Sequence, residues 1–111
     1  EGKNLHIFST HLVYTPAQPS EIQATQAQNL LKIVPKENGL VMGDFNATPD
    51  SKIIEDMNKT MVNTEKDLTK YTADGKKLDY IFSTTDIKTL SSGTLDSQAS
   101  DHLPIYAIIE I

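Results

Sequence analysis

Gly39-Leu40-Val41-Met42-Gly43 sets three large apolar residues between two glycines, directly after an Asn38-Gly39 turn signal. A run this short, apolar and bounded by turn formers predicts a buried strand, which neighbouring elements must cover. The flanking sequence supplies them. Residues 4–10 alternate Leu5, Ile7 and Ser9 against His6, Phe8 and Thr10, the period of a strand. After a loop carrying Pro16 and Pro19, Ser20-Glu21-Ile22-Gln23 has capping-box spacing, with Gln23 reaching back to Ser20. Ile22, Ala27, Leu30, Leu31 and Val34 then fall on one helical face, and Pro35 closes the helix. A short second helix through Met57 is expected with Thr48 as cap, Pro49 at its first helical position, and Ile53, Ile54 and Met57 facing inward. Residues 58–77 are polar and read mostly as loop. Residues 78–83 form a strand with Leu78, Tyr80 and Phe82 on one side and Ile81 on the other. Residues 87–90 read as a further strand, 91–100 as a Ser/Thr/Gly loop, and 103–111 as a strongly β final strand. The order β-α-β-α-β-β-β places the chain in the α/β or α+β class, with helices covering a mixed β-sheet.

Composition narrows the chemistry. With 111 residues the chain is one domain's worth of polypeptide. It has no cysteine, which excludes disulfide scaffolds, zinc fingers and thiol catalysis. Ten basic against fifteen acidic residues give a net charge of −5, which argues against broad electrostatic capture of DNA or an anionic membrane. The longest apolar runs are too short to span a bilayer. The start, Glu1-Gly2-Lys3, runs almost at once into a strand pattern, and the expectation is a piece of something longer.

Four polar clusters fall where the expected strands end: His11, Asp44/Asn46, Asp79 and Asp101-His102. In open α/β sheets, ligands gather outside strand ends, where loops aim side chains at one point. If the backbone after the buried strand stays extended, Asp44 and Asn46 face one way while Phe45 turns into the core. A carboxylate beside a neutral amide suits a phosphate and an attacking water; the same residues also make an ordinary turn. Asp101 and His102 point to opposite sides of an extended chain, the imidazole for proton donation or phosphoryl polarisation, the carboxylate for a metal or another imidazole. A surface turn capped by Ser100 would use the same residues. Asp79, inside an apolar run, calls for a partner, which a histidine would supply while fixing its own tautomer; an edge-strand aspartate facing solvent is the plainer alternative. His11 is either a second acid/base imidazole or a hydrogen-bonded interior histidine, and His6 is read as structural. Hard oxygen donors without cysteine suit Mg²⁺, or Mn²⁺ or Ca²⁺, rather than structural zinc.

Ser9-Thr10-His11-Leu12, Gly43-Asp44-Phe45-Asn46-Ala47-Thr48-Pro49, Leu78-Asp79-Tyr80-Ile81-Phe82 and Ser100-Asp101-His102-Leu103-Pro104 together closely resemble the endonuclease/exonuclease/phosphatase superfamily, in family order and at compatible spacing. The resemblance implies metal-assisted hydrolysis of a phosphoester. Asp44 would orient and deprotonate the attacking water, and Asn46 would hold the phosphate and that aspartate. His102 would contact the scissile phosphate with Asp79 as its orienting partner. Asp101, with Asp44, would contribute to the metal site, and His11 would lie near the leaving-group oxygen.

Members of the family are about twice this long, a four-layer α/β sandwich of two similar halves. Residues 1–111 thus resemble the C-terminal half, with helices on one face of the sheet. The N-terminal half would carry the Glu that chiefly holds the metal, and no residue before His11 replaces it. Gln23 stands where many relatives have an arginine. Without the other half, apolar residues of the last strand (Ile105, Ala107, Ile109 and Ile111, or Ile108 opposite) would have an uncovered face. The expected partners are that missing half, or a second copy through the exposed sheet, and a phosphoester substrate, small or lipid rather than DNA. The isolated half should bind Mg²⁺ poorly and hydrolyse little. A non-catalytic binding or assembly module keeping the family fold is the alternative. A dinuclear metallophosphatase of the calcineurin type lacks the histidines it would need, with only His6, His11 and His102 in the chain.

Overall fold

The buried strand lies inside a four-stranded mixed sheet, where the apolar run requires it to be. The computed structural model describes residues 2–16 and 20–111; Glu1 and the middle of the proline-containing loop, residues 17–19, lie outside the described residues. The elements are β1 (His6–His11), α1 (Glu21–Ile33), β2 (Gly39–Asp44), α2 (Lys52–Thr60), β3 (Val62–Asn63), β4 (Asp79–Ser83), β5 (Lys88–Thr94) and β6 (Ile105–Glu110). The sheet order is β1-β2-β4-β3, with β1 parallel to β2 and both other pairings antiparallel. β5 and β6 form a separate antiparallel pair. β6 also packs against β4.

Register divides the sheet into two faces. Phe8, Val41 and Phe82 lie in one cross-strand row, and Thr10, Gly43 and Tyr80 in another on the same face. Against this face pack Ala27 of α1, Ile53, Ile54 and Met57 of α2, and Phe45. Phe45, Tyr80 and Phe82 form an aromatic triad, with centroids 5.3–5.6 Å apart and two of its contacts edge-to-face. The expected turn of Phe45 into the core is therefore observed. The opposite face carries Ile7-Leu40-Ser83, then Ser9-Met42-Ile81, then His11-Asp44-Asp79.

Several boundaries differ from the sequence expectations. The second helix begins later: Ser51, not Thr48, is its cap, accepting from the Ile54 N–H at 3.4 Å. Thr48 instead opens the preceding turn, its carbonyl accepting from the Ser51 N–H at 2.9 Å. That helix runs on to Thr60, and β3 follows inside the stretch expected as loop, because Met57 and Met61 are both buried and pull the polar residues between them along. β5 extends to Thr94, through Ser and Gly residues that read as loop. Their pairing with Ile105, Tyr106, Ala107 and Ile108 imposes the strand, a case of partner overriding intrinsic preference. In α1, Ser20 caps as expected, accepting from the Gln23 N–H at 3.2 Å. Ile22, however, is exposed, and Gln23 takes the inward position.

Candidate active site

Three strands end side by side, and that is what assembles the polar cluster. The register pairs His11 with Asp44 and Asp44 with Asp79, so these three side chains leave one face of the sheet in one row. Gly43 makes the close spacing of this row achievable. Its φ is +143°, and a Cβ there would fall 1.8 Å from the Thr10 carbonyl oxygen. The loop before β6 then brings His102 over the row. Its Nδ1 lies 2.7 Å from Asp79 Oδ2, a charge-assisted hydrogen bond in which the imidazole donates. His102 Nε2 is 3.7 Å from Asp44 Oδ2, and His11 Nε2 is 3.5 Å from the same oxygen. Both are ion-pair distances too long for a tight hydrogen bond. Asp44 thus faces two imidazoles, and Asp79 is the acceptor that orients one of them.

Burial grades the four groups. The Asp44 and Asp79 side chains are each 15% exposed, His102 32% and His11 73%. The Asp79 hydrogen bond holds the His102 pKa above the ordinary histidine value against the opposing effect of burial, with the Asp79, Asp44 and Asp101 charges adding to it. The imidazolium is therefore favoured, with its Nε2–H on the side of Asp44. A cation held there by two carboxylates is suited to an anionic oxygen such as that of a phosphoryl group.

Asn46 adopts a left-handed backbone, φ +48°, so the chain after Asp44 turns rather than staying extended. In that turn the Asn46 N–H donates to Asp44 Oδ1 at 2.8 Å, and its side-chain amide donates to the Leu12 carbonyl at 2.8 Å. The loop after β1 and the loop after β2 are thereby tied together beside the aspartate. Asp101 is exposed, and its Oδ1 accepts from Ser100 Oγ at 3.3 Å. It lies outside the group formed by Asp44, Asp79 and His102, whose ligand atoms all fall within 4.8 Å of one another. His6 is exposed on the edge strand.

Four further residues support the cluster, none of them read from the sequence as part of the site. Gln23, fully buried, donates from its amide to the carbonyls of Val13 and Asn46 at 2.8 and 3.0 Å, bridging the same two loops from the helix side. Tyr80 donates to the carbonyl of Ala47 at 2.8 Å, and its hydroxyl is 3.0 Å from that of Lys77; burial raises its pKa well above the usual tyrosine value. Thr72 accepts the backbone N–H groups of Leu78 and Asp79. Lys77, almost wholly buried, donates to the Asp79 carbonyl at 3.2 Å and lies over the Tyr80 ring, and burial lowers its pKa. The alternation that turns Tyr80 inward and the helix-start position of Gln23 were readable; what these residues bond depends on contacts between segments distant in sequence.

The sequence model of the Endonuclease/Exonuclease/phosphatase family matches residues 4–102. No curated protein matches the chain by sequence. Among solved structures, a conserved protein of unknown function from Enterococcus faecalis V583 superposes with a TM-score of 0.70 at 16% identity, over 94% of this chain and 49% of its own. The human Nocturnin catalytic domain, solved with a bound sulfate anion, gives 0.66 at 23% identity, over 92% of this chain and 45% of its own. An endonuclease/exonuclease/phosphatase family protein from Leptotrichia buccalis gives 0.66 at 22% identity, over 95% and 48%. The chain spans about half the length of each of these structures.

Proposed function

The chain belongs to the endonuclease/exonuclease/phosphatase family, and on that premise we propose that it forms the C-terminal catalytic half of a Mg²⁺-dependent enzyme that hydrolyses phosphoester bonds. The fold is that of a family of phosphoester hydrolases. The observation that carries the finer reading is the row His11-Asp44-Asp79 with His102 bonded to Asp79 at its end. A carboxylate set between imidazoles, one of them bonded to a second carboxylate that favours its protonated form, suits attack on a phosphate by water.

Each residue then has a task. Asp44 accepts the proton of the attacking water, and Asn46 holds Asp44 through its backbone N–H while its side-chain amide ties down the Leu12 loop. His102 binds a phosphoryl oxygen through Nε2–H, while Asp79 fixes its ring and tautomer. His11, the most exposed of the four, gives a proton to the leaving oxygen. Asp44 and Asp79, whose carboxylate oxygens lie within 4.8 Å of each other, offer hard donors that suit a divalent ion. Asp44, joined by Asp101 through water, would hold Mg²⁺ (or Mn²⁺ or Ca²⁺), with further ligands from the other half. Bound there, the ion would neutralise charge on the phosphoryl oxygens.

We propose likewise that the uncovered sheet face packs on the other half of the fold, or on a second copy in its absence. The half-length match to three structures and the exposed Ile7 on that side support this. A small or lipid phosphoester is favoured as substrate, since the net charge of −5 offers little to the backbone of DNA.

The test is hydrolysis by the full-length parent protein of DNA, sphingomyelin and inositol phosphates in Mg²⁺. Activity should appear on one of the small or lipid esters and fall by about a hundredfold or more in Asp44→Ala and His102→Ala. Full activity in both variants would overturn the role assignment, and absence of activity on every ester would favour a binding module.

A further inference from the structure

Asp79 and His102 lie 23 residues apart in sequence, and the pair they form depends on how two separate segments are held. One buried residue holds both. Thr72, wholly inaccessible to solvent, sits in the turn that precedes β4. Its Oγ1 accepts the backbone N–H of Leu78 at 2.9 Å and that of Asp79 at 3.1 Å. Its carbonyl accepts the Leu103 N–H at 2.7 Å, next to His102, and its own N–H donates to the Lys76 carbonyl at 2.8 Å. One oxygen therefore fixes the start of the strand that carries the aspartate, and the other fixes the residue that follows the histidine.

We infer that Thr72 is the positioning residue of the Asp79–His102 pair. This rests on the reading of that pair as the phosphate-facing part of the site. The hydrogen bonds of Thr72 all go to backbone groups, on both sides of the pair. Only a side chain with an acceptor oxygen one bond from Cβ fits both N–H groups. Serine keeps that oxygen. Valine matches the shape of threonine and removes it, leaving two backbone donors in the interior without their acceptor. The segment of β4 that bears Asp79 has no strand on its outer side, because β3 pairs only with Phe82 and Ser83. The Thr72 hydroxyl takes the place of a neighbouring strand there, and no ladder bond would compensate for its loss.

The experiment needs two readouts. In this chain, NMR follows the His102 Nδ1–H proton, shifted far downfield by its carboxylate acceptor, together with hydrogen exchange at the Leu78 and Asp79 amides. In the full-length parent, kcat and KM for phosphoester hydrolysis are measured. Thr72→Val should abolish the downfield signal, speed exchange at those two amides, and lower kcat about tenfold to a hundredfold with little change in KM. Thr72→Ser should restore all of these. If Thr72→Val does not fold, Thr72→Ala set against Thr72→Ser gives the same comparison. A downfield signal and amide protection that survive in Thr72→Val would overturn the assignment. Loss of both with kcat unchanged would leave Thr72 as the positioning residue and overturn the catalytic reading of the pair.

Discussion

The two faces of the four-stranded sheet are built from neighbouring residues of the same strands and end up in opposite conditions. On the helix side, Val41, Phe45, Ile54, Met57, Tyr80 and Phe82 are wholly buried. On the other, Ile7 is 58% exposed, and within the adjoining β5–β6 pair Leu90 and Ile108 are 52% and 54% exposed. The whole chain exposes 6913 Å², where a folded protein of this mass would expose roughly 6,000 Å². One face is a finished core. The other is only partly covered: Leu40 and Ser83 are buried, Met42 and Ile81 half-buried, and Ile7 at the edge is exposed. The polar row of His11, Asp44 and Asp79 leaves this second face, so the chemistry lies at the margin of the unfinished side.

The sharpest break of the comparison is in stability. Phe82→Ala, on the closed face, should cost about 3–5 kcal/mol in denaturant unfolding, through lost burial and an unfilled cavity in the aromatic triad. Ile7→Ser, on the open face, should change stability by no more than about 0.5 kcal/mol. Equal losses from both would mean that the open face is packed in solution. A smaller effect is expected at Tyr80, which joins the core to the site. Tyr80→Phe keeps the ring and removes the donor to the Ala47 carbonyl, and should cost about 1–3 kcal/mol by the same measurement. No loss would indicate that water replaces the hydroxyl.

The smallest effect concerns pH and the margin of the open face. The folded-state pKa of His102 is raised, chiefly by Asp79, above an unfolded value of about 6.5. The stability contributed by this pair is therefore fully present below about pH 6.5 and lost as pH rises through the raised folded value. The urea midpoint of the wild type should exceed that of Asp79→Asn in mild acid, with the gap narrowing toward alkaline pH. A gap that does not change with pH would show that the histidine is not cationic beside Asp79.

Much of this arrangement was legible in the sequence because it rests on local rules. The glycine-bounded run at Leu40-Val41-Met42 gave away the central strand, and alternation separated Tyr80 and Phe82 from Asp79 and Ile81 before any register was known. The four polar clusters were readable because each follows the end of a strand pattern. What escaped was set by partners distant in sequence. Ser91, Ser92 and Gly93 are strand only because β6 lies alongside, and Ile22 gave its inward place to Gln23 because two loop carbonyls needed a donor. Asp101 and His102, adjacent in sequence, part company in space. The histidine is drawn to Asp79, whereas the aspartate stays in solvent with Ser100. Thr72 carries no sequence signal, since its importance lies in which backbone groups fold around it.

The central claim, that one face of this sheet is complete and the other is built to be covered, is tested most directly by analytical ultracentrifugation of the chain at micromolar concentrations. Concentration-dependent association is predicted, weakened by a charge placed on the open side by Ile7→Lys and unaffected by Lys59→Ala on the exposed surface of α2. A wild-type chain that remains strictly monomeric across that range would contradict it.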